Sequence, residues 1–427
     1  MKNFFRIIFI FLLYHNIFSQ SSFPVILISD KYDPEELSIA INPKNPAQIV
    51  AGANISKLFV STDTGRTWQS SIIKCDSFGV YGDPVLIWDT SNTFYYFHLS
   101  MPNMRLVKDA NWIDRIVVQA SSDLGKSFNF CTGIGKNGSK NQDKHWAYYD
   151  SKTNTLLVSW TQFDKYESKD PKDSSIILFS MSKDNGKTWT TPLRLSHFAG
   201  DCLDSDGTVE GATPFTGPNG EIYVAWAGPK GIMFTYSTDG GKTFLYPERK
   251  LDTIYGGWDI KVEGLYRANN LPFLVCDNNP KSPFAGNIYI CFGDEKDGDK
   301  NIWLLKSTDG GKTWSKRIKV NNDNSKRDQF MPMMTIDPIT GYLYIIFYDR
   351  RNYNDIQTDV YLAVSKDGGT SFNNYKLNSK SFIPDSSVFF GDYIGVCAYN
   401  NIVRPIWMEM HNKKIHAYTA LIDGGKL

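Results

Sequence analysis

The sequence has almost no excess charge: 46 basic and 45 acidic side chains leave a net charge of +1 over 427 residues. That balance excludes the basic footprint of a nucleic-acid binder and the polyacidic tail of a charged scaffold. Cysteine is scarce, six in all, too few for a disulfide scaffold at this length. Cys276 and Cys291 sit on two runs that read as adjacent strands, so they either pair in an oxidising compartment or remain buried thiols. No HExxH, paired-cysteine or glycine-rich phosphate motif occurs, which removes support for metal-dependent and nucleotide chemistry. Beyond the first twenty residues no apolar run approaches the ~18 residues of a membrane-spanning helix, so no membrane insertion is expected.

The N-terminus is the exception. Lys2 and Arg6 precede an apolar run over 7–14 that reaches a small residue at Ser19. This is the pattern of a secretory signal peptide over 1–20, with a mature chain from 21 to 427 that is secreted or periplasmic.

One pattern recurs six times: Ser, any, Asp, any, Gly, any, Thr or Ser, aromatic. The copies begin at Ser61, Ser121, Ser182, Ser237, Ser307 and Ser365, with aspartates at Asp63, Asp123, Asp184, Asp239, Asp309 and Asp367. The chemistry is that of a tight hairpin: the carboxylate accepts backbone N–H bonds inside the turn and glycine supplies a positive φ. Around each box the frame is strand, Asn/Asp/Gly/Pro turn, strand, strand, box, short strand, which makes each repeat a four-stranded blade. After the sixth box, runs over 393–398, 403–407 and 415–421 supply three strands and no box. The run over 25–29 supplies the missing fourth. The expected fold is therefore an all-β propeller of seven blades with six Asp boxes, closed by its N-terminal strand, with six blades as the alternative.

The repeated Asp box resembles that of the sialidase-like (BNR-repeat) propellers, from about residue 30 to the C-terminus. The resemblance implies a ligand site on the face opposite the boxes. Strand direction sorts residues to that face independently. Asp83, Asp143, His145, Glu210, Arg327, Asp328, Asp392 and Tyr393 lie at the starts of inner strands, with Glu36 and Lys144 beside them. Trp160, Trp226, Asp349 and Arg350 lie at the ends of second strands, and Arg267 lies in an inter-blade link. Carboxylates with arginine and tryptophan suit a sugar, whose rings stack on aromatics and whose hydroxyls take charged partners.

The family resemblance also implies three arginines gripping a sugar carboxylate, the first from an Arg-Ile-Pro tripeptide that this sequence does not contain. Arg66 is inside a box, which leaves Arg267, Arg327 and Arg350. Tyr393 with Glu210 stands where a tyrosine nucleophile and its glutamate partner would be sought, and His145, with an ordinary pKa of ~6.5, is a candidate general acid or base. Asp143, His145, Glu210, Asp392 and Tyr393 are thus the catalytic candidates. Asp83, Arg267, Arg327, Asp328, Asp349, Arg350, Trp160 and Trp226 are the substrate-binding ones. Asp201, Asp204 and Asp206 form an acidic loop, either solvated or holding a structural Ca²⁺; no other cofactor is called for. The expected function is an exported glycoside hydrolase of sialidase-like type, a monomer acting on an acidic or complex glycan. The alternatives are a non-catalytic glycan- or protein-binding propeller and a polysaccharide lyase.

Overall fold

The computed structural model describes residues 23–102 and 112–427; the expected signal peptide over 1–20 lies outside them. Seven antiparallel sheets of the expected strand order surround one axis. Blade 1 comprises Ser38–Ile41, Ile49–Ala53, Lys57–Ser61 and Gln69–Ile72, and blades 2 to 6 repeat this order outward. Their inner strands are Val85–Trp88, Asn141–Asp150, Glu210–Thr216, Phe273–Cys276 and Gln329–Ile336. Blade 7 is built from Gly395–Tyr399, Ile402–His411 and Lys414–Ala420, with Val25–Ser29 as its outer strand. Val25 stands opposite Ala420 and Leu27 opposite Tyr418, so the two ends of the chain close the ring.

Burial falls from axis to rim. The second strand of blade 3, Thr155–Phe163, is buried throughout, because neighbouring blades cover both of its faces, whereas the outer strand Gln69–Ile72 is exposed throughout. The alternation of a half-solvated sheet is accordingly absent from the second strands. The core is a ring of wedges between neighbouring blades. One wedge, running through blades 1, 6 and 7, also takes in Ile260, Val262 and Leu265 from the link after blade 4.

Each box folds as its chemistry requires. In the first, Ser61 Oγ donates to Asp63 Oδ1 (2.8 Å), Thr67 N donates to the same oxygen (2.9 Å), and Thr67 Oγ1 donates to Asp63 Oδ2 (2.7 Å). Gly65 has φ 87°, and Trp68 Nε1 donates to its carbonyl (3.0 Å). These bonds hold the Asp63 carboxyl down at about 2 although it stands in solvent.

The one disulfide among the described residues is Cys75–Cys131, which ties the link leaving blade 1 to the outer strand of blade 2. Cys276 and Cys291 remain thiols. Their strands are adjacent, but Cys291 lies opposite Phe273 and Cys276 opposite Ile288. The offset of three residues puts the two Cα atoms roughly 10 Å apart at ~3.3 Å per residue, beyond disulfide reach.

Candidate functional site

At the end of the axis away from the boxes, the entries to the inner strands turn sharply. Glu36, Asp83 and Lys144 open three consecutive blades with φ of 54°, 51° and 43°. In blades 3 and 4 the register slips, between Asp143 and Trp146 and between Glu210 and Thr213. Left-handed backbone at a charged, non-glycine residue costs of order 1 kcal/mol or more, and such strain concentrates where a side chain must be aimed. Here the aim is the axis.

Glu36, Asp83, Asp143, Glu210, Asp392 and Tyr393 gather there with Lys144, Asp204 and Arg267. Arg267 straps the cluster from outside: its Nε donates to Asp392 Oδ1 (2.7 Å), its Nη2 to Asp392 Oδ2, and its Nη1 to Asp204 Oδ2 (3.3 Å). Tyr166 Oη donates to the same Asp204 oxygen (2.6 Å). The Lys144 ammonium lies 4.1 Å from the centre of the Tyr393 ring. Asn54 Nδ2 donates to Glu36 Oε2, and Asn54 Oδ1 accepts from Asp83 N (2.8 Å).

Six carboxyls around two cations cannot all ionise. Burial, then the neighbouring Asp83 and Asp392, pushes Glu36 well above the usual carboxylate range. Burial with Asp83 and Asp204 does the same to Asp143, and burial with Asp204 and Asp143 to Glu210. Burial also opposes the charge on Asp392, yet Arg267 and Lys144 prevail and hold it low. The cluster thus contains carboxyls pushed above the ordinary range, Glu36, Asp143 and Glu210, and one held below it, Asp392. Tyr393 sits among Asp83, Glu36 and Asp392, and burial with those charges raises its phenol. The Tyr393 hydroxyl donates to the Pro84 carbonyl (3.5 Å), and the groups raising Glu210 are Asp204 and Asp143.

The other expected residues lie elsewhere. His145 is 2 % exposed, its ring 6.3 Å from that of Phe97, and burial with His98 nearby lowers it to about 3, leaving it neutral. The slip after Asp143 is the reason: it hands the axial position to Lys144. Trp160 and Trp226 are each 0 % exposed, inside the wedges between blades. Trp160 Nε1 donates to Gln142 Oε1 (2.7 Å). An aromatic near the end of a strand covered on both faces is core, so neither tryptophan is available to stack on a sugar.

Arg327, Asp328, Asp349 and Arg350 form a separate frame on blade 6. Arg327 donates to the Asp355 carbonyl (2.7 Å), Lys300 approaches Asp328 (3.6 Å), and Asp349 pairs with Arg351 (2.7 Å). Arg350 reaches Thr358 Oγ1 (3.1 Å) and the Glu263 carbonyl (2.8 Å), which anchors the link carrying Arg267.

Sequence reasoning left the aromatics of the mouth unnoticed. Tyr266, 66 % exposed, meets Phe389 edge-on at 6.2 Å, and the Arg267 guanidinium lies 5.3 Å from the Phe389 ring. Only their adjacency to Arg267 and Asp392 could have signalled them. In the acidic loop, Asp201 bonds Leu203 N (3.1 Å) and Thr208 Oγ1 (3.0 Å), and Asp206 bonds Asp259 N (2.9 Å). Among the described residues no three carboxylate, imidazole or thiol groups converge so as to hold a metal ion.

A cavity of about 920 Å³ lies at the opposite end. It is the axial channel, reaching from Trp146 and Phe273 to the turns around Pro43, Lys152 and Pro338 on the box face. Trp146 packs against Tyr393 at 5.3 Å, separating the channel from the charged cluster. The channel is bigger but carries no grouping of acids and bases, so size and chemistry point to different ends, and chemistry decides in favour of the cluster.

The BNR/Asp-box repeat family matches residues 305–316, the fifth box. No curated protein matches the sequence. Among solved structures, the NanB sialidase from Streptococcus pneumoniae is 11% identical, covering 79% of this chain and 68% of that one, with a TM-score of 0.50. A protein of unknown function from Dyadobacter fermentans is 14% identical over 94% of this chain and 99% of that one, also at 0.50. A Hadza microbial sialidase, Hz136, is 13% identical over 88% and 73%, at 0.47. At these identities the likeness concerns the path of the chain.

Proposed function

We propose that this chain, an Asp-box (BNR-repeat) β-propeller of sialidase-like fold, is an exported glycoside hydrolase that cleaves a complex glycan at its axial carboxylate cluster. The observation that carries the reading is the sorting of those carboxyls. Glu210 and Asp143 are pushed well above the ordinary carboxylate range beside Asp392, which Arg267 and Lys144 hold below it, the direction of division between acid and carboxylate that glycoside hydrolysis uses. Glu210 is assigned the proton transfer to the leaving oxygen. Asp392, oriented by Arg267, supports the positive charge developing on the sugar ring, and Tyr266 with Phe389 offers the ring a surface at the mouth. The disulfide supports export, since such bonds persist in oxidising compartments.

An acidic glycan is the less favoured substrate. Arg267 is the one arginine in the cluster and is already committed to Asp392 and Asp204, while Arg327 and Arg350 are held on blade 6. A binding module without turnover is favoured by one observation: the pocket at the cluster measures only about 20 Å³. Nothing favours a lyase, since His145 is a neutral core group and burial keeps the Tyr393 phenol protonated. The test is Glu210→Gln assayed on a panel of oligosaccharides with melting monitored in parallel. Loss of turnover at unchanged melting temperature is expected. Retained turnover would refute the assignment, and glycan binding with no turnover by the wild type would establish the binding module.

A further inference from the structure

The shoulder of the same face carries a second hollow, of about 420 Å³, that the reaction proposed above does not use. It lies on blade 4, between the tight hairpin joining Ile222–Gly228 to Gly231–Ser237 and the chain that leaves the outer strand Arg249–Asp252. Trp258 is the wall it shares with the axial cluster. Two close approaches that only glycine permits hold its shape. A Cβ on Gly231 (φ 106°) would stand 2.2 Å from the Asp252 carbonyl oxygen, and one on Gly257 (φ 82°) would stand 2.1 Å from Asp206 Oδ1.

Lys230 lines the hollow from the hairpin and Lys250 from the outer strand. Among the described residues neither ammonium is ion-paired: Lys230 Nζ lies 3.0 Å from the centre of the Phe198 ring, and Lys250 Nζ donates to Thr253 Oγ1 (3.0 Å). An ammonium carries three N–H donors, so each lysine has donors to spare. The Thr253 hydroxyl accepts from Lys250 and keeps its own proton to give. The acid in the lining is Asp206, whose Oδ1 accepts from Asp259 N (2.9 Å). Asp252, beside Thr253, is paired with Arg317 (2.7 Å). Two cations therefore face one carboxylate, and the hollow is positive and rich in donors.

We propose that this hollow binds a sulfate or phosphate group, held by Lys230, Lys250 and the Thr253 hydroxyl. Lysine is a point charge, which suits a tetrahedral oxyanion, whereas a planar carboxylate is better matched by the fork of arginine. The volume exceeds what such a group fills alone, so the group arrives either as the free ion or as the ester of a small sugar. The inference stands apart from turnover at the axis, where Arg267 remains committed to Asp392 and Asp204. No covalent step is involved in this recognition.

The experiment is calorimetric titration of the full mature chain at low ionic strength with three probes: sodium sulfate, glucose 6-sulfate and glucose. Both sulfates should bind, glucose at least tenfold more weakly, and added NaCl should weaken both sulfates because the hollow is open to screening. Tighter binding of glucose 6-sulfate than of sulfate assigns the group to an ester, and equal binding assigns it to the free ion. Lys230 and Lys250 are exposed, so their replacement leaves the core intact. Lys230→Gln and Lys250→Gln should each weaken both sulfates severalfold, and the two together at least tenfold. The pair Lys172→Gln and Lys187→Gln, at exposed lysines of blade 3, should change nothing. Absence of binding by either sulfate would overturn the proposal, as would glucose binding equally well. So would an affinity that survives loss of both Lys230 and Lys250, or one that falls as far in the blade 3 pair. None of these outcomes bears on the Glu210→Gln assay, so the hydrolase reading stands or falls separately.

Discussion

Breaking the Cys75–Cys131 bridge perturbs the unfolded chain more than the folded one, and the size of the effect follows from the loop it closes. The cysteines are 56 positions apart. Restricting a loop of that length removes about 14 cal/mol/K of chain entropy, or about 4 kcal/mol at 25 °C. For a chain of about 400 residues the unfolding entropy is roughly 0.8 kcal/mol/K, so this converts to a fall of about 5 °C in Tm. The assay is thermal unfolding of the wild type with and without a phosphine reductant, beside the Cys75→Ser/Cys131→Ser double variant. Both perturbations should lower Tm by similar amounts, and the reductant should leave the double variant unchanged. Titration of thiols in denaturant should find four, corresponding to Cys202, Cys276, Cys291 and Cys397. Six thiols in protein exported and purified under air would show that the bridge does not form. A reduced wild type that melts where the oxidised one does would refute the loop-entropy reasoning itself.

Two further outcomes are expected. Asp184→Ala removes the acceptor of Thr188 N (2.9 Å) and Ser182 Oγ (2.8 Å); loss of such a turn cap should cost about 1 kcal/mol, one or two degrees, with glycan binding unchanged, and a zero shift would contradict the structural role of the box. Stability should also peak on the acid side of neutral. The box aspartates Asp63, Asp184 and Asp309, lowered to about 2 from 3.8, contribute stability that is present above 3.8 and lost as pH falls toward 2. Glu36, Asp143 and Glu210 are raised, so their contribution is complete below their ordinary values and is lost as pH climbs through the raised ones; Glu35, raised by burial to about 7, follows the same course. Melting curves from pH 3 to 9 check this, with Glu36→Gln flattening the alkaline decline; a flat profile from pH 5 upward in the wild type would refute it.

The fold was legible because each box carries its own local chemistry: Asp63 makes the same bonds whatever surrounds it, and six copies mark six of the seven blades, the seventh being read from three strands left without a box and a spare strand at 25–29. The strand-start carboxyls Asp83, Asp143, Glu210 and Asp392 were legible for a related reason, since strand direction alone sends them to one end of the axis. What failed needed information that alternation does not contain. A one-residue slip decides between Lys144 and His145, and no spacing in the sequence records it. Trp160 and Trp226 were misplaced because a strand covered on both faces has no outward side for an aromatic. Arg267 and Arg327 lie in links of similar appearance, yet one crosses to the axis and the other stays at the rim, a difference set by where Ile260, Val262 and Leu265 find their core. Tyr266 and Phe389 meet only because that link crosses.

The pairing of Val25 with Ala420 has a consequence for how the ring comes into being. The strand made first belongs to the blade made last, so during synthesis Val25–Ser29 must wait, extended and unsatisfied, through the appearance of six blades. A ribosome-bound chain halted at any box would present an open arc with a bare edge at each end, the arrangement most prone to join with a second arc. The ring thus behaves as a bracelet with a single clasp, and a holding factor that shields Val25–Ser29 until Lys414–Ala420 exists would protect the chain throughout its longest vulnerable interval.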